Sequence, residues 1–212
     1  MKRYWILFAT LLLILTVTHG ALAATAVYTD EASFLAAIQG GYYLEDFSAF
    51  TYGSFVGPSL DFGPTNGFSY TMFATNDVFS GPGNMSTAWA SEPLEITFTG
   101  SAVTAVGGIF WPTLDDGGDA TGDIDLWLSD GTSLSLIDAD ASTFRGFVTD
   151  GAAFTAMSVT ALSTVATQWP TVDNFYVGQG VGESVVVPVP GALLLGLLGV
   201  SCAGWRRRRW TA

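Results

Sequence analysis

The amino-acid sequence predicts an all-β fold, a single jelly-roll-like antiparallel β-sandwich with one short N-terminal helix, and three observations support this. From Tyr42 onward, short alternating or continuous apolar runs recur, separated by Gly, Pro, Asn and Asp, the pattern of strands joined by turns. The 212-residue chain is 49% hydrophobic and 14% aromatic but only 12% charged, a composition suited to a packed core and far from that of disordered chains. The same stretch contains no long amphipathic helix and no fixed-period repeat, so neither a helical bundle nor a solenoid fits.

The elements follow in chain order. Asp30 is placed to cap a helix running through Ile38, with Phe34, Leu35 and Ile38 as its apolar positions and Gly40-Gly41 as its stop. Strands are expected at 42–47, 68–73, 94–99, 103–111, 123–129, 132–138, 144–149, 154–160 and 171–177. One hairpin can be specified closely. Ile124, Leu126 and Leu128 alternate before the turn, and Leu134 and Leu136 alternate after it. A two-residue Asp130-Gly131 loop would split these aliphatic residues between two faces. A three-residue loop, Ser129-Asp130-Gly131, opposes Leu126 to Leu134 and Ile124 to Leu136, with Gly131 left-handed in a G1 bulge.

The two ends read as addresses. Residues 1–23 have the three parts of a secretory signal peptide: basic Lys2 and Arg3, an apolar run from Trp5 to Val17, and a small-residue cleavage site with Ala21 and Ala23 around Leu22. At the other end, residues 188–212 hold Pro188-Val189-Pro190, an apolar run from Gly191 to Trp205, and the block Arg206, Arg207, Arg208 and Arg209. The run has 15 residues, about 22 Å of helix against a hydrocarbon core of roughly 30 Å. Extending it back through Val185-Val186-Val187 supplies length, though the two prolines interrupt the extension. The Arg block belongs on the cytoplasmic side. The signal-peptide helix and a C-terminal transmembrane helix would then flank an external domain, residues 24–187.

Charge is segregated in the same way. All 19 acidic residues lie between Asp30 and Glu183, while Arg145 is the only basic residue in that span, a net of −18. Such a body repels phosphate backbones and anionic lipid heads, which excludes nucleic acid as a partner and leaves membrane contact to the C-terminal tail alone.

The order Pro-x-Pro, apolar helix and Arg cluster, combined with a signal peptide, resembles the PEP-CTERM sorting tail of exported Gram-negative bacterial proteins. Where that family has Pro-Glu-Pro, this chain has Pro188-Val189-Pro190. The resemblance implies recognition by an exosortase, a membrane-embedded sorting protease, then removal of the tail and association with an extracellular polysaccharide matrix at the cell surface. A plain C-terminal membrane anchor is the alternative. The middle of the chain resembles, more loosely, the sandwich domains attached to such tails, through Leu44-Glu45-Asp46-Phe47, Ala105 to Phe110, Leu128 to Gly131, Phe144 to Phe147 and Val172 to Gly178. This implies a jelly-roll-like sandwich, and in some such domains a calcium ion pins the first and last strands, here near Asp46 and Asp173.

The catalytic inventory is narrow. His19, the only histidine, lies in the signal peptide, and Cys202, the only cysteine, lies in the tail. The span 24–187 therefore has no His, Cys or Lys, which removes serine-protease-like triads, thiol catalysis, Schiff bases and His-ligated zinc. The expectation is a non-catalytic exported protein of the cell surface or matrix. A carbohydrate-binding module is the alternative, with Trp127 and Trp111 as glycan contacts, because exposed rings stack on the C–H faces of pyranoses. A carboxylate-based glycan hydrolase drawing on Glu45, Asp46, Glu92 or Glu95 is the third reading. One cofactor is considered. The run from Asp115 to Asp125 holds five carboxylates in eleven residues, and calcium takes six to eight oxygen ligands. It lacks the EF-hand pattern, since position twelve is Leu126. Asp115, Asp116, Asp119 and Asp123 are the expected ligands, and a solvated acidic turn is the alternative.

Overall fold

The computed structural model describes residues 24–90, 92–162 and 167–181. Two antiparallel sheets pack face to face as a β-sandwich. The first has the order β1 (Thr25–Tyr28), β12 (Phe144–Thr149), β9 (Ala105–Thr113), β14 (Trp169–Gly178), β7 (Met85–Thr87), β6 (Val78–Ser80) and β3 (Ser54–Phe55), with β2 (Tyr43–Glu45) also paired to β14. The second has the order β11 (Ser133–Ala139), β10 (Gly122–Leu128), β13 (Ala156–Leu162), β8 (Leu94–Gly100), β5 (Phe68–Phe73) and β4 (Ser59–Thr65). All nine expected strands are present, two of them, 68–73 and 144–149, with the expected bounds. The additional strands β1, β3, β4, β6 and β7 are short or carry turn residues, such as Gly63-Pro64 inside β4.

The core lies between the sheets and follows from strand alternation. In β5, Phe68, Tyr70 and Met72 point inward while Ser69, Thr71 and Phe73 point out. In β10, Ile124, Leu126 and Leu128 are buried. Aromatic rings fill the centre: Phe62 stacks on Tyr70 with centroids 4.7 Å apart, and Phe175 meets Tyr70 edge-on at 5.2 Å. Such pairs add about 0.5–1.5 kcal/mol each beyond the area they bury. The β10–β11 hairpin has the expected register, Leu126 opposite Leu134 and Ile124 opposite Leu136. The Leu128 and Gly131 amides close the three-residue loop, and Gly131 has φ +91°.

The helix is shorter than the sequence suggests. Helix α1 spans Glu31–Ala36, capped by Asp30, whose carboxylate accepts from the Ser33 amide at 2.8 Å. It ends at Ala37 rather than running through Ile38 to Gly40-Gly41. The chain after it is drawn into pairing with the end of the domain, where Ile38 bridges Gly180 and the Val181 amide donates to the Ala37 carbonyl. A competing ladder thus removes the last turn.

Helix α1 docks through one side chain. Phe34 is fully buried on the outer face of the first sheet, over the cross-strand pair Gly107 and Gly146. A Cβ at Gly146 would lie 2.3 Å from the Phe34 ring, and one at Gly107 would lie 3.0 Å from it. Tyr28, Phe144 and Tyr176 surround the ring at 5.6–6.1 Å. Gly146→Ala is therefore expected to destabilise the fold by about 1–3 kcal/mol, the range for overpacking. Adding Phe34→Leu should recover part of that loss in chemical denaturation. Strict additivity of the two changes would show that the ring is not what the glycine accommodates.

Candidate functional site

The outer face of the second sheet carries a continuous cross-strand row. The register aligns Ser133 with Trp127, Trp127 with Ser158, Ser158 with Glu95, Glu95 with Phe73, and Phe73 with Ser59. Because the residues flanking Trp127 face the core, the indole points out and is 46% exposed, as expected; Phe73 is 44% exposed. Three strand spacings separate these two rings, about 14 Å. Between them Ser158 donates to the Glu95 carboxylate at 3.0 Å. A second outward row, Ser135, Asp125 and Thr160, lies beside the first, with Ser135 donating to Asp125. The surface thus presents two aromatic planes flanking hydroxyls and carboxylates, which suits a polyhydroxylated ligand lying flat. Phe73 was missed in the sequence, although the alternation through Tyr70 and Met72 marks it as outward.

Trp111 corrects the second glycan expectation. It lies on the outer face of the first sheet but is only 3% exposed. Its indole N–H donates to Asp119 at 2.9 Å, and its neighbour Thr171 is fully buried. The chain beyond β9 folds back, with Asp119 bridging Thr113. A ring buried in this way cannot stack on a sugar.

The acidic loop is corrected in the same region. Asp115, Asp116, Asp119 and Asp123 do not converge, and among the described residues no group of three or more His, Cys, Asp or Glu is arranged to hold a metal ion. Three of these carboxylates are held by separate donors. Asp116 accepts from the Gly118 amide at 2.9 Å, Asp119 from Trp111, and Asp123 from the Asp138 amide at 3.1 Å. Mutual repulsion is eased because the charges are spread along a turn and a strand. Glu45, Asp46, Glu92 and Glu95 are likewise each held by their own donors: Tyr43 and the Phe47 amide, Ser48, Asn76, and Ser158.

Asp46 and Asp173 are neighbours. The edge of β14 opposite β9 is shared by β7, paired at Thr171 and Val172, and by β2, paired from Phe175 to Val177. Asp173 and Asn174 fall in the gap, at a bulge where Asn174 has φ +44°. Burial pushes the Asp173 carboxyl up from its ordinary value, the Asp46 charge adds to the rise, and the Asn174 amide opposes it. Asp46 is held low by the Ser48 hydroxyl and amide.

Ala21 and Ala23 at the signal cleavage site, and Pro188, Val189, Pro190 and Arg206 to Arg209 of the tail, lie outside the described residues. No family model, no curated protein and no solved structure matches the chain.

The raised Asp173 carboxyl has a pH consequence. A carboxyl whose value is higher folded than unfolded penalises the folded state once it ionises, and the penalty vanishes below the ordinary value of 3.8. With divalent ions chelated, Asp173→Asn should therefore raise the melting midpoint at pH 7. The gain should shrink to nothing as the pH falls below about 3.8. A gain that is independent of pH would contradict this origin.

Proposed function

We propose that the chain is an exported, non-catalytic protein of the cell surface or extracellular matrix of a Gram-negative bacterium, whose jelly-roll-like sandwich associates with exopolysaccharide. The observation that carries the reading is the outward row from Trp127 to Phe73 on the second sheet, two exposed rings separated by a hydroxyl and a carboxylate. Rings supply C–H stacking surface, and Ser158, Glu95, Ser133 and Ser59 supply groups that pair with hydroxyls. The amino-acid inventory supports a binding rather than a catalytic role, since residues 24–187 lack His, Cys and Lys.

The ends supply the route. The signal peptide, residues 1–23, delivers the domain across the inner membrane, and an exosortase-type protease recognises residues 188–212 and removes them. Membrane contact is confined to the tail before that cut. The folded body is compatible with these boundaries: its first strand begins at Thr25, and its last described bridge is at Gly180.

Protein recovered from its native host should begin at Ala24 and end near Pro188-Val189-Pro190 by mass spectrometry. An intact Arg206–Arg209 block would replace the sorting tail with a plain anchor. The same preparation, passed over immobilised polysaccharides, should be retained on at least one without releasing reducing ends. Trp127→Ala should weaken retention about tenfold, the loss of roughly 1.4 kcal/mol. Release of reducing ends would make the protein a hydrolase.

A further inference from the structure

The outer face of the first sheet is only half covered. Helix α1 lies over the β1, β12 and β9 side, through Phe34 on Gly107 and Gly146. On the other side the register sets an outward row of Phe55, Phe79, Ser86 and Thr171, ending at Trp111. Trp169 and Thr113 form the next row. The turn after β9 rises beside these rows, and Tyr52 fastens it by donating to the Asp116 carbonyl at 3.3 Å. Between turn and sheet lies an open cleft of about 120 Å³, lined by Phe55, Phe79 and Trp169, with Asn84, Ser86 and Thr113 among its polar groups.

The hydroxyls of the cleft are already paired. Ser86 donates to the Pro170 carbonyl at 3.0 Å, and Thr113 pairs with Thr171 at 2.9 Å. Asn84 is only 7% exposed and its side-chain amide makes no hydrogen bond to another described residue, but the amide is not sealed from solvent. The amide lies flat over Gly81, its Oδ1 2.0 Å from where a Cβ would stand. Only glycine at that position leaves room for it. Reaching solvent through the cleft it lines, the amide is available to pair with a ligand.

We infer that this cleft binds one ring, or one chain end, of an uncharged pyranose glycan. Phe55, Phe79 and Trp169 offer stacking surface to the C–H face of a sugar. The Asn84 amide can both donate to and accept from a hydroxyl. A hydrocarbon side chain of a peptide in the same place would leave that amide unpaired. Arg145, on β12, is the only basic side chain among the described residues, and its guanidinium donates to the Phe144 carbonyl. Nothing in the cleft offsets the −18 charge of the body, so uronates and sulfated sugars are disfavoured. At about 120 Å³ the cleft is smaller than the several hundred Å³ of a drug-sized pocket, which fits one ring and not a wrapped oligosaccharide. The inference deepens the glycan reading but rests on a different face from Trp127.

The test uses the exported protein with neutral gluco-, galacto-, manno- and N-acetylglucosamine oligosaccharides and with uronate oligosaccharides, read by saturation-transfer NMR and by titration. At least one neutral series should bind and the uronates should not. Phe55→Ala and Asn84→Ala should each weaken binding about tenfold, whereas Ile137→Ala, which truncates an exposed side chain on the second sheet, should leave this binding unchanged. Phe55 is 65% exposed, so its truncation leaves the fold intact even where Asn84→Ala disturbs the turn. Binding lost in Trp127→Ala but kept in Phe55→Ala would overturn the cleft and leave the Trp127 face standing. Absence of binding by every neutral series, or equal binding of uronates, would overturn the cleft as well.

Discussion

The pairing of β9 with β14 is the constraint on which the rest of the first sheet depends. It joins the middle of the sequence to its last described strand, from Trp169 opposite Thr113 to Gly178 opposite Ala105. With β9 along one edge, β14 has a single edge left, and that edge is too long for either of its partners. β7 takes Thr171 and Val172, β2 takes Phe175 to Val177, and the bulge at Asp173 and Asn174 absorbs the change between them. Bulges re-aim a strand where regular pairing cannot continue. Here the bulge also sets Asp173 near Asp46, so the strain of the join and the electrostatic cost fall at one place. Inward, β14 contributes Val172, Phe175 and Val177 to the core; outward, it contributes Tyr176 beneath the helix and Trp169 to the cleft.

Each sheet treats its outer face differently. The second sheet presents rows of Ser, Thr, Asp and Glu, in which hydroxyls donate to carboxylates along the pleat: Thr71 to Asp61, Ser135 to Asp125, and Ser158 to Glu95. These bonds disperse negative charge without basic partners, since Arg145, the only basic residue between Asp30 and Glu183, lies on the other sheet. The first sheet cannot be left bare in the same way, because Ala105, Ile109, Phe144 and Tyr176 are apolar on its outer face. Phe34 covers them, and only paired glycines bring the helix close enough. Cover ends where the helix ends, and the aromatic and polar residues beyond it line the cleft.

Much of the fold was legible from period-two alternation, which identified nine of the fourteen strands among the described residues and the register of the β10–β11 hairpin. The strands that escaped are those whose identity depends on a distant partner. β6 and β7 have three residues each around Gly81-Pro82-Gly83-Asn84, and only their pairing with β3 and β14 makes them strands. The site was legible in part. Trp127 could be placed outward because its neighbours in the hairpin are aliphatic. Trp111 could not be placed, since its burial depends on the chain after β9 folding back to give Asp119 to its indole. Acid spacing also misled. Five carboxylates in eleven residues suggest a cation, but their orientation depends on backbone amides, such as those of Gly118 and Asp138, that composition does not reveal. The cleft was invisible for the same reason: Phe55, the hairpin that carries Phe79 and Asn84, and Trp169 are three separate segments brought together by sheet order.

The folded body is fastened at both of its described ends. Fraying begins where terminal residues have no partners. Here Thr25 to Tyr28 pair along β12, and the Ala24 amide donates to Asp150 at 3.0 Å. At the far end Gly180 bridges Ile38, the Gln39 amide donates to the Gln179 carbonyl, and the Val181 amide donates to Ala37. The residue following the helix and the residues following the last strand thus tie each other down, which is also what shortens the helix. Phe34 sits between these two closures, in contact with Tyr28 from the first strand and Tyr176 from the last. One ring therefore links the first described strand, the last described strand and the β9–β14 pair.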